Sequence, residues 1–442
     1  MTDKVFAFIT QHHMIQPGDH VICAVSGGKD SMALLDVLCQ LAPKLHCHIS
    51  VAHFNHLLRG TESDQDCSFV SAWCHAHAIP FYTASADVRH YAQQSHLGIE
   101  DAARRLRYEF LTSIDACAKI ATAHTADDNL ETVLMHLIRG SGLHGLTGIP
   151  PVRGQIIRPL LTLSSVEILD YLTSNNIPHI EDSTNALDDC TRNRLRHHII
   201  PQLKSENPDF LSRINEMTAS LLDDDIFLET QAQAALDRIR LSPTSISTDG
   251  LCQLSPALQA RVCRLFLKVV PALTYRQTQQ IIALSSSSSP SATISLPGGY
   301  LVRRCYSALE LSFPARHATF SAGSTTLNLN GNTSFGSYLI SVTAGTCHYP
   351  LPPYTVALNI KPDCRLLVRT RQPGDRICLP GGTKKLSRLM IDHKLPAHLR
   401  SSYPILTDGQ NILALLPYCV ARDYRVSDGA ECYLITLIGL EE

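Results

Sequence analysis

The stretch Ser26-Gly27-Gly28-Lys29-Asp30-Ser31 joins a short apolar run to an amphipathic one, and its residue types suit the holding of an anion. A strand ending at Val25, a glycine turn and a helix starting near Asp30 gather backbone N–H groups and a positive helix end at one spot. Gly27 and Gly28 permit close backbone approach, while Ser26 and Ser31 offer hydroxyls to phosphate oxygens. Asp30 is the odd member. A carboxylate beside a polyphosphate is repelled unless a cation stands between them, so Asp30 points to bound Mg²⁺. An ordinary strand-to-helix turn capped by Asp30 explains the glycines but not both serines as well. The Walker pattern G-x-x-x-x-G-K-[ST] is absent.

Three further clusters carry groups capable of chemistry. HFNHLLRGTESDQD, residues 53–66, places His53 and Asn55 at the carboxyl end of a second strand, where open parallel sheets bind ligands. A zinc site would need further ligands that no cysteine pair supplies. GIEDAARRLRYEF puts Arg104 and Arg107 on one helical face, either as part of a solvated charged surface or as contacts to phosphate and developing negative charge. HTADDNLET sets His124 at a strand end and Asp128 and Glu131, three apart, on the next helix. Those acids suit a cationic substrate or Mg²⁺, or simply a capping box. A GxGxxG-like string, residues 140–145, follows a helix rather than a strand, so a dinucleotide fingerprint fails and a flexible loop beside the site is expected.

To bring these groups together, the chain needs a parallel sheet. Strands are expected at His20–Ser26, His48–Phe54, Pro80–Ser85 and Lys119–His124, and helices at Ser31–Leu41, Asp64–Ala78, Glu100–Ala116 and Asp127–Arg139. This rhythm predicts an α/β domain, with its functional groups at the strands' carboxyl ends and the fourth strand beside the first. From about 205 to 284 strand signals vanish and helical periodicity takes over. The serine run 285–289 reads as an exposed loop, and short β-type runs follow with one helical insert, KKLSRLMIDHKL.

Composition narrows the functional classes. The 442 residues are 44% hydrophobic and 18% charged, which favours folded domains over disorder. The net charge of −2 gives no global nucleic-acid signature, so any basic surface is local. Two local strips exist. Residues 361–400 carry ten Lys or Arg against three Asp, among them Arg371, Arg376, Lys384, Lys385, Arg388, Lys394 and Arg400. TRNRLRHH adds Arg192, Arg194 and Arg196. Clustering of this kind favours contacts to an RNA backbone over a merely solvated face. Fifteen dispersed cysteines with no C-x-x-C spacing, and a start without a signal peptide, predict reduced buried thiols in a cytoplasmic protein. No apolar run is long enough to span a membrane.

SGGKDS resembles the SGGxDS signature of the PP-loop ATP pyrophosphatases, which cleave ATP between its α and β phosphates to adenylate a substrate. HFNHLLRGTES, EDAARRLRYEF, ATAHTADDNLET, RGSGLHGLTGIP, IIRPLL, EDSTN and TRNRLRHHIIPQL follow in the order of one branch, the tRNA(Ile)-lysidine synthetases, and the segment 371–406 resembles that family's last domain. The resemblance implies an adenine nucleotide alpha hydrolase-like catalytic domain over 1–205, a small helical middle domain with β segments over 206–350, and a mixed β-rich, basic tRNA-binding domain over 351–442. It further implies ATP held by Ser26 to Ser31, His53 and Asn55, and a two-step reaction on the wobble cytidine of tRNA(Ile) with a CAU anticodon. Cytosine O2 is adenylated, pyrophosphate leaves, and free L-lysine then displaces AMP at C2. Asp128, Glu131 and His124 are unranked candidates for accepting the amine's proton or orienting it, and Arg104 or Arg107 for steadying the intermediate. A tRNA thiolase and a non-catalytic tRNA-binding protein are the competing readings; assembly as a homodimer stays open.

Overall fold

The computed structural model describes residues 1–57, 61–181, 191–289, 291–313, 323–361, 364–397 and 399–439. Most of EDSTN, Arg59 and Cys190 therefore lie outside the described residues. The chain divides into two compact units, 1–228 and 229–442.

In the first unit, α1 (Thr2–Gln11) leads into β1 (His20–Ala24), α2 (Lys29–Leu45), β2 (His48–Asn55), α3 (Thr61–Ala76), β3 (Phe81–Ser85), α4 (Val88–Ser95), α5 (Ile99–Ile114), β4 (Lys119–Ala121) and α6 (Ala126–Ile138). Then come α7 (Leu143–Leu146), β5 (Val152–Arg153), β6 (Ile156–Ile157), α8 (Ser165–Ser174), α9 (Thr191–Arg194), a π turn (Leu195–Ile199), α10 (Ile200–Glu206) and α11 (Phe210–Ile239), whose last turns enter the second unit. The sheet order is β3-β2-β1-β4-β6-β5, parallel except at the β5 edge. β1 registers with β2 from His20↔His48 to Ala24↔Ala52 and with β4 from Val21↔Lys119 to Cys23↔Ala121. The chain thus winds outward through β2 and β3, then returns to the other side of β1. That reversal opens a crevice at the carboxyl ends of β1 and β4.

Alternation along β1 builds both faces of this layer. Val21 and Cys23 join Met32, Leu35 and Leu38 of α2 in one core, while Ile22 turns to the opposite face with Leu111 and Ile120. The predicted α/β domain is present, with every expected strand and helix inside or overlapping an observed one. The 140–145 string is not an open loop. It enters α7, and Gly148 (φ +71°) lies so close to Asn129 that a Cβ would stand 2.1 Å from its Oδ1.

The second unit opens with β7 (Arg240–Ser242) and β8 (Ser245–Ser247), a hairpin in a region read as wholly helical. Its strands are too short for a period-2 pattern to show, and their partner β11 lies about sixty residues on. α12 (Thr248–Cys252), α13 (Pro256–Phe266), α14 (Tyr275–Ser285), β9 (Thr293–Ser295), β10 (Leu301–Cys305) and β11 (Ala308–Ser312) complete a sheet of order β7-β8-β11-β10-β9, with a core including Leu236, Val262, Ile281 and Leu309. Antiparallel strands dominate the remainder: β12 (Thr325–Thr326), β13 (Gly331–Phe335), β14 (Tyr338–Thr346), β15 (Thr355–Leu358), β16 (Leu367–Arg369), β17 (Arg376–Leu379) and β18 (Gly382–Lys385). The predicted helical insert appears as α15 (Leu386–Asp392), followed by β19 (Ile405–Thr407), β20 (Ile412–Leu415), β21 (Cys419–Val420) and β22 (Glu431–Gly439). Their core runs from Leu327 to Leu437.

All fourteen described cysteines are free thiols, but Cys117 and Cys252 are exposed rather than buried. Among the described residues no helix is long and apolar enough to cross a membrane.

Candidate active site

A cleft of about 820 Å³ lies at the carboxyl edge of the first unit's sheet, and Ser26, Gly28, Lys29, Asp30 and Ser31 line it. The turn is organised from within. Ser31 Oγ accepts the N–H groups of Ser26 (3.2 Å) and Gly27 (3.2 Å) and donates to Gly28 O (2.8 Å), so this hydroxyl shapes the loop instead of standing free for phosphate. Gly27 (φ +97°) packs so close to Ile180 that a Cβ would stand 2.9 Å from its side chain, and its carbonyl accepts Ile180 N–H. Gly28, not Asp30, occupies the N-cap of α2. Asp30 is therefore spare. Its Oδ1 is buried without a hydrogen-bond partner, and burial, reinforced by Asp128 and Asp127 and opposed by Lys29 and Arg196, raises the carboxyl to about 6.

An unpartnered buried carboxylate oxygen beside a polyphosphate turn fits a hard cation. Mg²⁺ is commonly bound through one or two carboxylates with phosphates and waters completing its shell, so the absence, among the described residues, of a cluster of three ligating side chains does not conflict with it.

His53 and Asn55 do not reach the cleft. Strand alternation sends Ala52 and Phe54 to the lining and turns His53 and Asn55, 4% and 6% exposed, the other way. His53 Nδ1 donates to Val25 O (2.9 Å), tying β2 to the strand that carries the loop. Asn55 Nδ2 donates to Asp64 Oδ1 (3.0 Å) and its Oδ1 accepts Leu57 N–H (2.9 Å), which fastens the turn after β2. The other histidine of that motif, His56, lines the cleft.

Facing the loop is a network of charge. Asp128 closes a capping box on α6, with Oδ2 accepting Thr125 N–H (2.8 Å), and its Oδ1 accepts Arg192 Nη2 (2.6 Å). Glu131, 1% exposed, receives Arg192 Nε on one oxygen and Arg196 Nε (2.6 Å) on the other. Arg192 and Arg196, expected in an RNA-binding strip close to the catalytic domain, are ion-paired to the site's own acids, and Arg192 lines the cleft. Arg192 lies on α9 and Arg196 within the π turn, and such turns recur at functional sites. Arg194 is exposed and donates to Thr191 Oγ1 (3.0 Å).

His124 bonds through Nδ1 to Thr122 Oγ1 (3.0 Å). Burial, opposed by Asp128 and aided by Arg158, Arg192 and Arg107, lowers it to about 4 and keeps it neutral near pH 7. Arg104 and Arg107 both line the cleft, as the sequence led one to expect. His179 and Glu181 line it too, His179 with Nδ1 buried and unpartnered. Nothing in their own spacing marked them, since they come from the loop after α8.

In the second unit, Arg371, Arg376, Lys384, Lys385, Arg388 and Lys394 are exposed. Arg376 and Lys385 stand opposite each other on the β17–β18 hairpin, while Arg388 and Lys384 share Asp392 at 3.2 and 3.9 Å. Arg400 departs from the set: it is half-buried and donates to Leu395 O (2.8 Å) and Tyr306 Oη (3.4 Å).

A parallel α/β layer with this turn at its switch point, an orphan carboxylate and facing arginines define an ATP-using enzyme of the PP-loop class. The model of the PP-loop domain matches residues 2–203, and that of the TilS substrate C-terminal domain matches residues 366–437. The tRNA(Ile)-lysidine synthase of Geobacillus kaustophilus is 34% identical over 94% of each chain, and that of Bacillus subtilis 34% identical over 93% of this chain and 92% of its own. The enzyme of the same name from Geobacter sulfurreducens is 33% identical over 98% and 96%. The chain belongs to the tRNA(Ile)-lysidine synthase family and is an ATP-using ligase.

Proposed function

We propose that this protein joins free L-lysine to C2 of the wobble cytidine in tRNA(Ile) bearing a CAU anticodon, through an adenylated cytidine, so that the tRNA reads AUA in place of AUG. The observation that carries this reading is the orphan Asp30 oxygen beside the Ser26–Ser31 turn, opposite acids already held by arginines. The backbone of the turn receives the departing pyrophosphate. Asp30 would hold Mg²⁺, which when bound offsets the charge of the polyphosphate. Arg104 and Arg107 steady the negative charge of the adenylate.

For the second step, Asp128 receives the lysine amine and takes up its proton: it lines the cleft, where its Oδ1 already meets Arg192, whereas Glu131 is not part of the lining and holds an arginine on each oxygen. Glu131 holds Arg192 and Arg196 in place. His124 contributes a neutral hydrogen-bonding edge, because burial, helped by the neighbouring arginines, makes it a poor proton acceptor. A wobble base in an anticodon loop is already single-stranded, so little unstacking is needed. Exposed cations of the last domain, around the β17–β18 hairpin, grip the tRNA backbone elsewhere. The protein works in the cytoplasm, where charged nucleotides and tRNA are at hand.

Incubation with ATP, Mg²⁺, labelled lysine and CAU-anticodon transcripts tests the reading. Lysine enters the transcript and AMP and pyrophosphate are released; no incorporation under any condition sinks it. A thiolase would instead require sulfur transfer, and the described residues hold no paired cysteines at the cleft.

A further inference from the structure

Arg158 is the residue of IIRPLL for which the reaction gives no task. It directly follows β6, at the carboxyl edge of the sheet, where Thr122 N–H donates to Ile157 O. Its side chain is 3% exposed, yet among the described residues no carboxylate pairs with it. Nη1 donates to Pro150 O, and Nε is buried without any hydrogen-bond partner. Besides His124, on which it acts, the groups that affect it most are Tyr108, Arg104 and Arg153, the last two cations. A guanidinium buried among cations is unfavourable unless a negative charge arrives.

The neighbours show where that charge would sit. The Arg104 and Arg107 guanidinium groups lie 5.5 and 5.6 Å from the centre of the Tyr108 ring, within cation–π range, so one aromatic side chain holds both. Arg158 lies beside the same tyrosine, behind the cleft wall, and both Arg104 and Arg107 face the cleft. This end is separate from the Ser26–Ser31 turn. The strongest charge effects on Asp30 come from Lys29, Asp128, Arg196 and Asp127. β6 also lies two strands from β1, about 10 Å across the sheet.

We propose that Arg104 and Arg107, with Arg158 behind them, form a second anion subsite of the cleft that takes a phosphate group, from the nucleotide or from the RNA strand bearing the reacting base. The assignment rests on the ATP- and RNA-dependent reading above. Arg158 is a positioning residue: it sets the potential of the subsite without touching the ligand.

Binding to the full chain tests this without turnover, so its failure is distinct from failure of lysine incorporation. The probes are AMP, adenosine, inorganic pyrophosphate and an anticodon stem-loop RNA with CAU, applied to wild type, R158M and R104A. The R158M variant should keep or raise the unliganded melting temperature, since it removes an uncompensated charge. Both variants should weaken the same phosphate-bearing probe, R104A by about tenfold through loss of a charged hydrogen-bonding partner and R158M by about threefold through loss of positive potential alone, and leave adenosine and pyrophosphate within twofold. Weakened AMP binding assigns the phosphate to the nucleotide; weakened RNA binding assigns it to the strand. Should R158M not fold, R104A, at an exposed position, carries the test alone. AMP and RNA affinities both within twofold of wild type in R104A, or in folded R158M, overturn the proposal.

Discussion

The cleft of the first unit and the basic hairpin of the second use charge in opposite ways. In the cleft, Glu131 and Asp128 are bonded to Arg192 and Arg196, while Asp30 Oδ1 and His179 Nδ1 are left without partners, as is Arg158 Nε behind the wall. Around β17 and β18 the cations Arg376 and Lys385 are exposed and stand opposite each other. Like charges directly opposite destabilise a strand pair, though solvent screens the cost. Burial makes each unpaired group specific to one ligand at one distance, whereas exposure makes cations interchangeable and sensitive to salt. Chemistry suits the first arrangement and long-range attraction to a polyanion the second.

The largest effect expected from breaking this contrast is at Asp30. Asp30→Asn should lower lysine incorporation at least a hundredfold and yet stabilise the free protein at pH 7. The folded carboxyl titrates near 6 against 3.8 when unfolded, so between those values the native state holds more protons and stability falls as pH rises. Above pH 6 the charged, buried carboxylate costs about 2–3 kcal/mol, which the amide does not incur. Thermal melts in chelator should show the variant's advantage at pH 7 vanishing near pH 4. An advantage that persists there contradicts the assignment.

Glu131→Ala ranks next. It removes one partner from each of Arg192 and Arg196 while Arg192 keeps Asp128, and should destabilise the first unit by about 1–3 kcal/mol, read by urea titration. On the exposed side, replacing Arg376 and Lys385 together by Ser should weaken tRNA binding while stability holds within about 0.5 kcal/mol. The slope of log affinity against log salt should fall by about 2, and an unchanged slope would remove these residues from the interface. The smallest effect is expected at His53. His53→Gln should leave the KM for ATP within about twofold and register mainly in melting temperature, because the side chain braces β1 from outside the cleft.

Much of this was legible in the residues themselves. The βαβα rhythm, the turn at Ser26–Ser31 and the neighbouring of β1 and β4 follow from hydrophobic pattern and glycine placement, which act over a few residues. Arg104 and Arg107 followed from their spacing on one helical face. Orientation and partnering were not legible in the same way. His53 and Asn55 sit at the right end of the right strand but on its other face, a one-residue distinction that the strand's outward neighbours decide. Arg192 and Arg196 read as an RNA-binding strip because a sequence shows cations but not the acids they will meet, here more than sixty residues earlier.

The sequence by itself determined the class of chemistry: a phosphate-holding turn with an aspartate that has no place in a simple cap, within a parallel α/β layer. Only the tertiary structure decided which charges are spent and which are spare. Burial and partnering depend on groups distant in the chain, and it is desolvation at those meeting points that pairs Glu131, isolates Asp30 and leaves Arg158 without a counter-charge.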